Sequence, residues 1–365
     1  MDQPQAAPPR LALHYDGRVG ELYLIFLPNV LLTVLTLGIY SFWAVTRVRK
    51  YVWSRTAHDG RRFAYHGTGG ELFVGWLLAF LSILALLGAA VGLAFLLPQW
   101  LAPAPLLLLY PVLGVLGAGA AYAAQRYRLS RTGWAGVRGG MAGSPWRYGA
   151  VALGMYLLVP LTLGQLLPWV QVRLAERRIN ASFAGATPFR FTGQARAVYP
   201  VFLAVFLGSA MLLAAIGVSL LAGSGNILSE LDGTRAPDPA DLPRFIGRLY
   251  GTLFIWIIAA GTVWAFYRAH LARHVMGRTT VGAMRLGSSV TGWGLAWLLF
   301  SNGLILLFTL GLGYPVAVQR NARYLARTTW AQGRLDPATL GKPAGAAPRF
   351  GEGFYNTLDG SGIAS

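Results

Sequence analysis

The chain has 365 residues, 55% hydrophobic and only 12% charged, with a mean hydropathy of +0.49. That excludes an ordinary soluble globular protein, and uncharged runs of more than 20 residues make it a multispan membrane protein. The formal charge of +18 lies beside those runs, where it reports orientation and anionic-lipid contact in preference to nucleic acid; with no Cys there are no disulfides, thiolate nucleophiles or Cys-ligated metals.

Met1 to Arg10 is Pro-, Ala- and Gln-rich and has no basic n-region before an apolar h-region. No cleaved signal peptide is read, and the first membrane helix is expected to serve as the insertion signal. Leu11 to Tyr15 alternates and ends at Asp16-Gly17, like a short strand closing in a turn. Leu22 to Val45 is the first apolar run, carrying Pro28, Asn29 and the break Thr36-Leu37-Gly38. A basic segment follows, with Arg47, Arg49, Lys50, Arg55, Arg61 and Arg62 set among Trp43, Tyr51 and Trp53. Rings beside Arg at helical spacing suit the headgroup layer; the alternative is a solvated helix flanking a span. Phe63 to Gly67 alternates as a second short strand.

Leu72 to Leu97 and Ala104 to Ala124 are long enough to cross, at 1.5 Å per residue against about 30 Å of hydrocarbon. The loop between them, 98–103, is uncharged, and 125–147 then carries five Arg. Tyr148 to Val170 holds the second break, Thr162-Leu163-Gly164, and 173–196 brings five more Arg and the alternating run Phe189 to Gly193. Tyr199 to Ala222 and Phe245 to Tyr267 are two further spans, separated by a loop with Glu230, Asp232, Asp238 and Asp241. Residues 268–292 carry four Arg, Trp293 to Val318 holds the third break, Thr309-Leu310-Gly311, and 320–334 carries four Arg. From Gln332 the chain is Gly-, Ala- and Pro-rich and is expected to be disordered.

The three breaks form an internal repeat: an apolar run, Thr-Leu-Gly, then an Arg nine residues past the Gly (Arg47, Arg173, Arg320). Seven simple spans would put Arg-rich loops on both sides of the bilayer, against the positive-inside rule. If the three break segments enter and return, 24 of the 31 basic residues share the cytoplasmic side with both termini. The expected fold is therefore an all-α polytopic membrane protein. It would be a tandem parallel repeat with four full spans, three re-entrant or half-membrane elements and short cytoplasmic strand segments. Its divisions are a cytoplasmic segment 1–21, unit one 22–124, unit two 125–267, a partial unit 268–331 and the tail 332–365. Gly permits the turn, and the Thr hydroxyls offer partners to freed backbone groups.

The run Thr36-Leu-Gly-Ile-Tyr-Ser-Phe-Trp-Ala-Val-Thr-Arg-Val-Arg49, the stretch to Thr56, and Phe63-Ala-Tyr65-His-Gly67 resemble the YjgN-like (DUF898) family of bacterial inner-membrane proteins. The resemblance implies an inner-membrane location and brings no activity with it. Later copies depart from the pattern: Ala175 stands for Arg49, Ser182 for Thr56, and Val316 for Trp43.

Chemistry is sparse. No carboxylate lies in the middle of an apolar run. Glu21 and Glu71 read as helix N-terminal acids, and His270 and His274, four apart among Arg, read as a solvated basic face in preference to a metal pair. No enzyme, metal or cofactor is expected. One functional expectation is transport of a small solute or lipid through a cavity lined by Asn29, Thr36, Gly38, Thr162, Gly164, Asn302, Thr309 and Gly311. The alternative is a non-catalytic scaffold that holds anionic lipid headgroups through Trp43, Arg47, Arg49, Trp169, Arg173, Arg177 and Arg320.

Overall fold

The computed structural model describes residues 10–231, 238–333, 335, 340 and 341. Most of the tail expected to be disordered, 332–365, lies outside the described residues. One order of elements recurs along the chain: two helices, then two strands. β1 (Arg10–Ala12) and β2 (His14–Tyr15) precede α1 (Val19–Leu35), α2 (Ser41–Ser54) and the hairpin β3 (Thr56–His58) and β4 (Arg61–Tyr65). Next come α3 (Gly69–Leu96), α4 (Ala104–Arg131), β5 (Thr132–Trp134) and β6 (Val137–Met141). They are followed by α5 (Pro145–Leu161), α6 (Leu167–Asn180), β7 (Ser182–Ala184) and β8 (Thr187–Phe191). The fourth set is α7 (Tyr199–Leu231), α8 (Asp241–Gly277), β9 (Thr279–Val281) and β10 (Met284–Ser288). α9 (Gly292–Phe308) and α10 (Tyr314–Thr328) end in a single strand, β11 (Thr329–Gln332).

The strands form one antiparallel sheet of 11, in the order β1-β11-β10-β9-β8-β7-β6-β5-β4-β3-β2. β1 pairs with β11 (Arg10 opposite Gln332), and β2 pairs with β3 (Tyr15 opposite Thr56). The same N-terminal stretch thus holds both edges of the sheet and closes it into a ring, which removes the exposed edges that invite foreign strands. This overturns the all-α expectation. Strands of two to five residues have little stability alone, so their order comes from partners in other parts of the chain: Tyr65 with Thr132, Met141 with Ser182, Phe191 with Thr279. Two whole hairpins, β5–β6 and β9–β10, fall in stretches that read as basic flanks only.

Because neighbouring strands all run antiparallel, the four hairpin turns lie at one end of the ring and the helices leave from the other. Two of the turns, Asp59-Gly60 and Ala135-Gly136, have positive φ at both residues (48° and 71°; 51° and 81°), which matches the right-handed twist of the strands. Alternation gives the sheet two unlike faces. Tyr65, Met141, Phe191, Val281, Met284 and Ala331 are buried on one, while Arg62, Arg138, Arg190 and Arg285 are exposed on the other.

Among the described residues four helices are long and apolar enough to cross a membrane: α3, α4, the 199–222 part of α7, and α8. α7 continues to Leu231, through part of the expected acidic loop. α1, α5 and α9 are each 17 residues, about 25 Å at 1.5 Å per residue, and stop short of a full crossing. The helices close on themselves as the strands do: Leu22 of α1, Val48 and Val52 of α2, and Val318 of α10 share one buried cluster.

Candidate functional site

The chain reverses direction at the three Thr-Leu-Gly steps, while Pro28 is carried inside α1. Each step ends its helix in the same way. The Gly N–H donates to the carbonyl five residues back (Gly38 to Thr33 2.7 Å, Gly164 to Val159 2.8 Å, Gly311 to Leu306 2.8 Å). The Leu N–H donates to the carbonyl three back (Leu37 to Val34 3.1 Å, Leu163 to Pro160 3.0 Å, Leu310 to Leu307 3.2 Å), the pair of bonds that defines a Schellman cap. The Leu itself takes the left-handed conformation in all three, φ 50°, 49° and 49°, followed by Gly at 93°, 87° and 86°. The Thr hydroxyls brace the turn from both sides. Thr36 Oγ1 donates to the Leu32 carbonyl (2.7 Å) and accepts from Tyr40 N–H (2.9 Å). Thr162 Oγ1 does the same with Val159 and Leu166 (3.0 and 3.2 Å), and Thr309 Oγ1 with Ile305 and Gly313 (2.6 and 2.7 Å).

The Thr and Gly residues expected to line a cavity are therefore occupied in closing the turns. The two Asn are buried, 2% and 6% exposed, and touch the returning helix. Arg47 Nη1 donates to Asn29 Oδ1 (3.3 Å), which joins two residues assigned to separate functions by the sequence. Asn302 Nδ2 donates to Asn321 Oδ1 (2.8 Å), and Arg320 donates to the Ser301 hydroxyl. The middle copy lacks the Asn, and Arg173 turns to Glu176 on its own helix (2.9 Å). Arg47, Arg173 and Arg177 are exposed, and Trp43, Trp169 and Arg320 half-buried. Arg49 is 1% exposed; its guanidinium lies over the Tyr65 ring and donates to the Tyr65 hydroxyl (3.1 Å), tying α2 to the sheet.

Glu71 closes a capping box with Thr68 and accepts from Tyr127 and Arg131; Glu21 accepts from Tyr51 (2.9 Å) and Arg55 (2.7 Å). His270 Nε2 lies 3.1 Å from the Ala197 carbonyl oxygen, and His274 Nε2 accepts from Gln194 N–H (3.1 Å).

A cavity of about 710 Å³ lies where α4, α5, α6 and α8 meet. Its polar lining is Tyr148, Tyr156, Gln171, Arg178 and Arg268, and its remaining walls are small and aliphatic side chains from all four helices. Arg178 Nε is buried without a hydrogen-bond partner among the described residues, and no carboxylate lines the cavity. Two guanidiniums beside an apolar wall suit an anion that carries a hydrocarbon part. Arg178 and Arg268 were each legible as basic flank; their convergence was not, because 90 residues separate them.

A family model described as a bacterial protein of unknown function (DUF898) matches residues 10–357. The inner membrane protein YjgN of Salmonella typhimurium is 25% identical over 368 residues, covering 90% of each chain. YjgN of Escherichia coli K12 is 42% identical over 60 residues, 16% of this chain and 15% of that protein. No solved structure matches.

Proposed function

The chain belongs to the DUF898 family and is a multi-pass protein of the bacterial inner membrane, and from that premise we propose that it holds an anionic lipid in the cavity between α4, α5, α6 and α8. In this reading α3, α4, α7 and α8 cross the bilayer, while α1–α2, α5–α6 and α9–α10 enter it and return. The ring hangs on the cytoplasmic side, where the positive-inside rule puts the Arg-rich stretches. The tips support the placement. Leu37, Leu163 and Leu310 are 94%, 82% and 92% exposed in a backbone conformation that costs a bulky residue roughly 1–2 kcal/mol. A strained Leu exposed to water gains nothing; one set in hydrocarbon recovers about 1.5–3 kcal/mol of burial.

The observation that carries the functional reading is the convergence of Arg178 and Arg268 on one largely apolar cavity that no carboxylate lines. A lipid phosphate supplies the counter-charge that the two guanidiniums lack in the cavity, and its chains lie along the walls. The test is native mass spectrometry of the purified protein in mixed phosphatidylglycerol and phosphatidylethanolamine. Retained phosphatidylglycerol should fall about tenfold or more when Arg178→Gln and Arg268→Gln are combined. Equal retention of the two lipids, or no loss in the variant, defeats the reading.

A second reading, passage of a small polar solute beside the broken helix pairs, draws on two orphaned amide atoms. Asn29 Nδ2 and Asn302 Oδ1 are buried without partners among the described residues. Uptake lost in Asn29→Leu with Asn302→Leu, with lipid retention unchanged, would favour it.

A further inference from the structure

The exposed face of the ring carries a second basic site, separate from the helix-walled cavity. A pocket of about 600 Å³ opens over β4, β5 and β6, and its polar lining is Arg61, Arg62, His66 and Arg138. Strand register builds it. Ala64 lies opposite Gly133, and Gly133 opposite Arg138, so a side-chain-poor floor runs across β4 and β5 and is bordered by Arg138 on β6. Arg62 and His66 flank Ala64 on the same face of β4 and its extension, since residues two apart share a face. His66 N–H continues the ladder to the Arg131 carbonyl (2.8 Å). Adjacent strands are about 4.8 Å apart, which brings Arg138 within reach of whatever sits on the floor.

The charges in this pocket are unequal in their commitments. Arg62 is held by Asp16 through both guanidinium nitrogens (3.0 and 2.5 Å) and by the Ser54 carbonyl (2.7 Å). The side chains of Arg61, Arg138 and His66 have no hydrogen bond or ion pair with a described residue, and no carboxylate lines the pocket. Packing does not require that arrangement. His66 and Arg138 border a floor left open by Gly133, where an added Cβ would come no closer than 3.5 Å to His66, and Arg61, at the turn end of β4, lines the same pocket. The alternation of the strands asks only for polar residues there, and the described lining has cations on both sides of the floor.

We propose that this pocket binds a phosphate-bearing anion through Arg61, Arg138 and His66. Guanidinium forks match the paired oxygens of a phosphate, and two uncompensated Arg favour a ligand with at least two negative charges. The lining reaches from His66, near the helices, to the Ala135-Gly136 turn at the far end of the ring. A dissolved phosphate ester and a phospholipid headgroup present the same chemistry, and the experiment separates them.

The probe is pyrophosphate, titrated calorimetrically into the full-length protein in nanodiscs of uncharged lipid. Saturable binding is expected, weakened about tenfold or more in Arg61→Gln/Arg138→Gln and in Gly133→Leu, which fills the floor beside His66 and leaves every Arg in place. Gly133 has no positive φ, so the leucine brings no backbone strain, and unchanged melting temperatures check that each variant folds. Arg178→Gln/Arg268→Gln should bind pyrophosphate normally, which keeps this result independent of the lipid cavity. If phosphatidic acid added to the nanodiscs binds in its place and is lost in the same variants, the phosphate belongs to a headgroup and the pocket stands. Binding of neither probe, or binding that both ring variants leave intact, overturns the proposal.

Discussion

At the scale of single residues, the helix tips show how one hydroxyl can replace water. Thr36 Oγ1 donates a hydrogen bond to one backbone carbonyl and accepts one from a backbone N–H across the turn, and the same pair of bonds recurs at Thr162 and Thr309. In water the loss of such a side chain is mild, because solvent takes over both groups. In hydrocarbon an unsatisfied group costs several kcal/mol. Thr36→Val keeps the shape and removes both bonds, so it should destabilise the protein by about 1–3 kcal/mol. Thr36→Ser keeps both bonds and should cost less than about 1 kcal/mol. Denaturant unfolding in lipid bicelles reads the difference. If Val and Ser are tolerated equally, the tip is wet and the re-entrant placement loses its support. Leu37 makes the complementary point: it is exposed and left-handed, and the proposed placement in hydrocarbon would offset that strain.

At the scale of elements, the sheet ring was the least legible part of the chain. The three helix breaks could be read directly, because Thr-Leu-Gly is a local cap whose bonds all lie within a few residues. β4 and β8 were legible as alternating runs. β5, β6, β9 and β10 were not, since Gly133, Gly139, Gly140 and Gly287 interrupt the alternation and the pairing that orders them is non-local. The same reason hid the cavity and the ring pocket, whose Arg residues converge from distant strands and helices. Arg47 and Arg49 look alike in sequence, yet one is exposed and the other buried against Tyr65, because two residues along a helix is more than half a turn. The ring also has a titrating member. His58 on β3 is buried beside the Trp134 ring, its Nδ1 unpartnered among the described residues, and burial lowers its pKa below the ordinary value near 6.5. The unfolded chain therefore binds a proton as pH drops below about 6.5 while the folded ring resists it, so stability declines from there down to the folded pKa. Melting temperatures should fall between pH 7.5 and pH 5.5, and His58→Phe, which keeps a ring against Trp134, should flatten that slope. An unchanged slope would remove His58 as its source.

At the scale of the whole molecule, the closed ring constrains topology more tightly than any helix does. All four hairpin turns lie at one end of the sheet, so they must all face the same compartment, whatever the helices do above them. A plain seven-pass chain could not satisfy that, since it would put β3–β4 and β5–β6 on one side and β7–β8 and β9–β10 on the other. The absence of native Cys makes the test clean. Asp59→Cys and Ala186→Cys, both at exposed turn positions, should resist a membrane-impermeant maleimide in intact cells and react in inverted vesicles. Gln99→Cys, in the exposed link between α3 and α4, should do the opposite. Leu37→Cys should react poorly from either side, because a tip that turns within the bilayer meets water on neither. Positions 59 and 186 on opposite sides would break the ring, and a Leu37→Cys tip labelled in intact cells would make α1 a full crossing. The charge pattern, the equal 17-residue lengths of α1, α5 and α9 and the common direction of the hairpins would then need separate explanations, where re-entry at three identical caps accounts for them together.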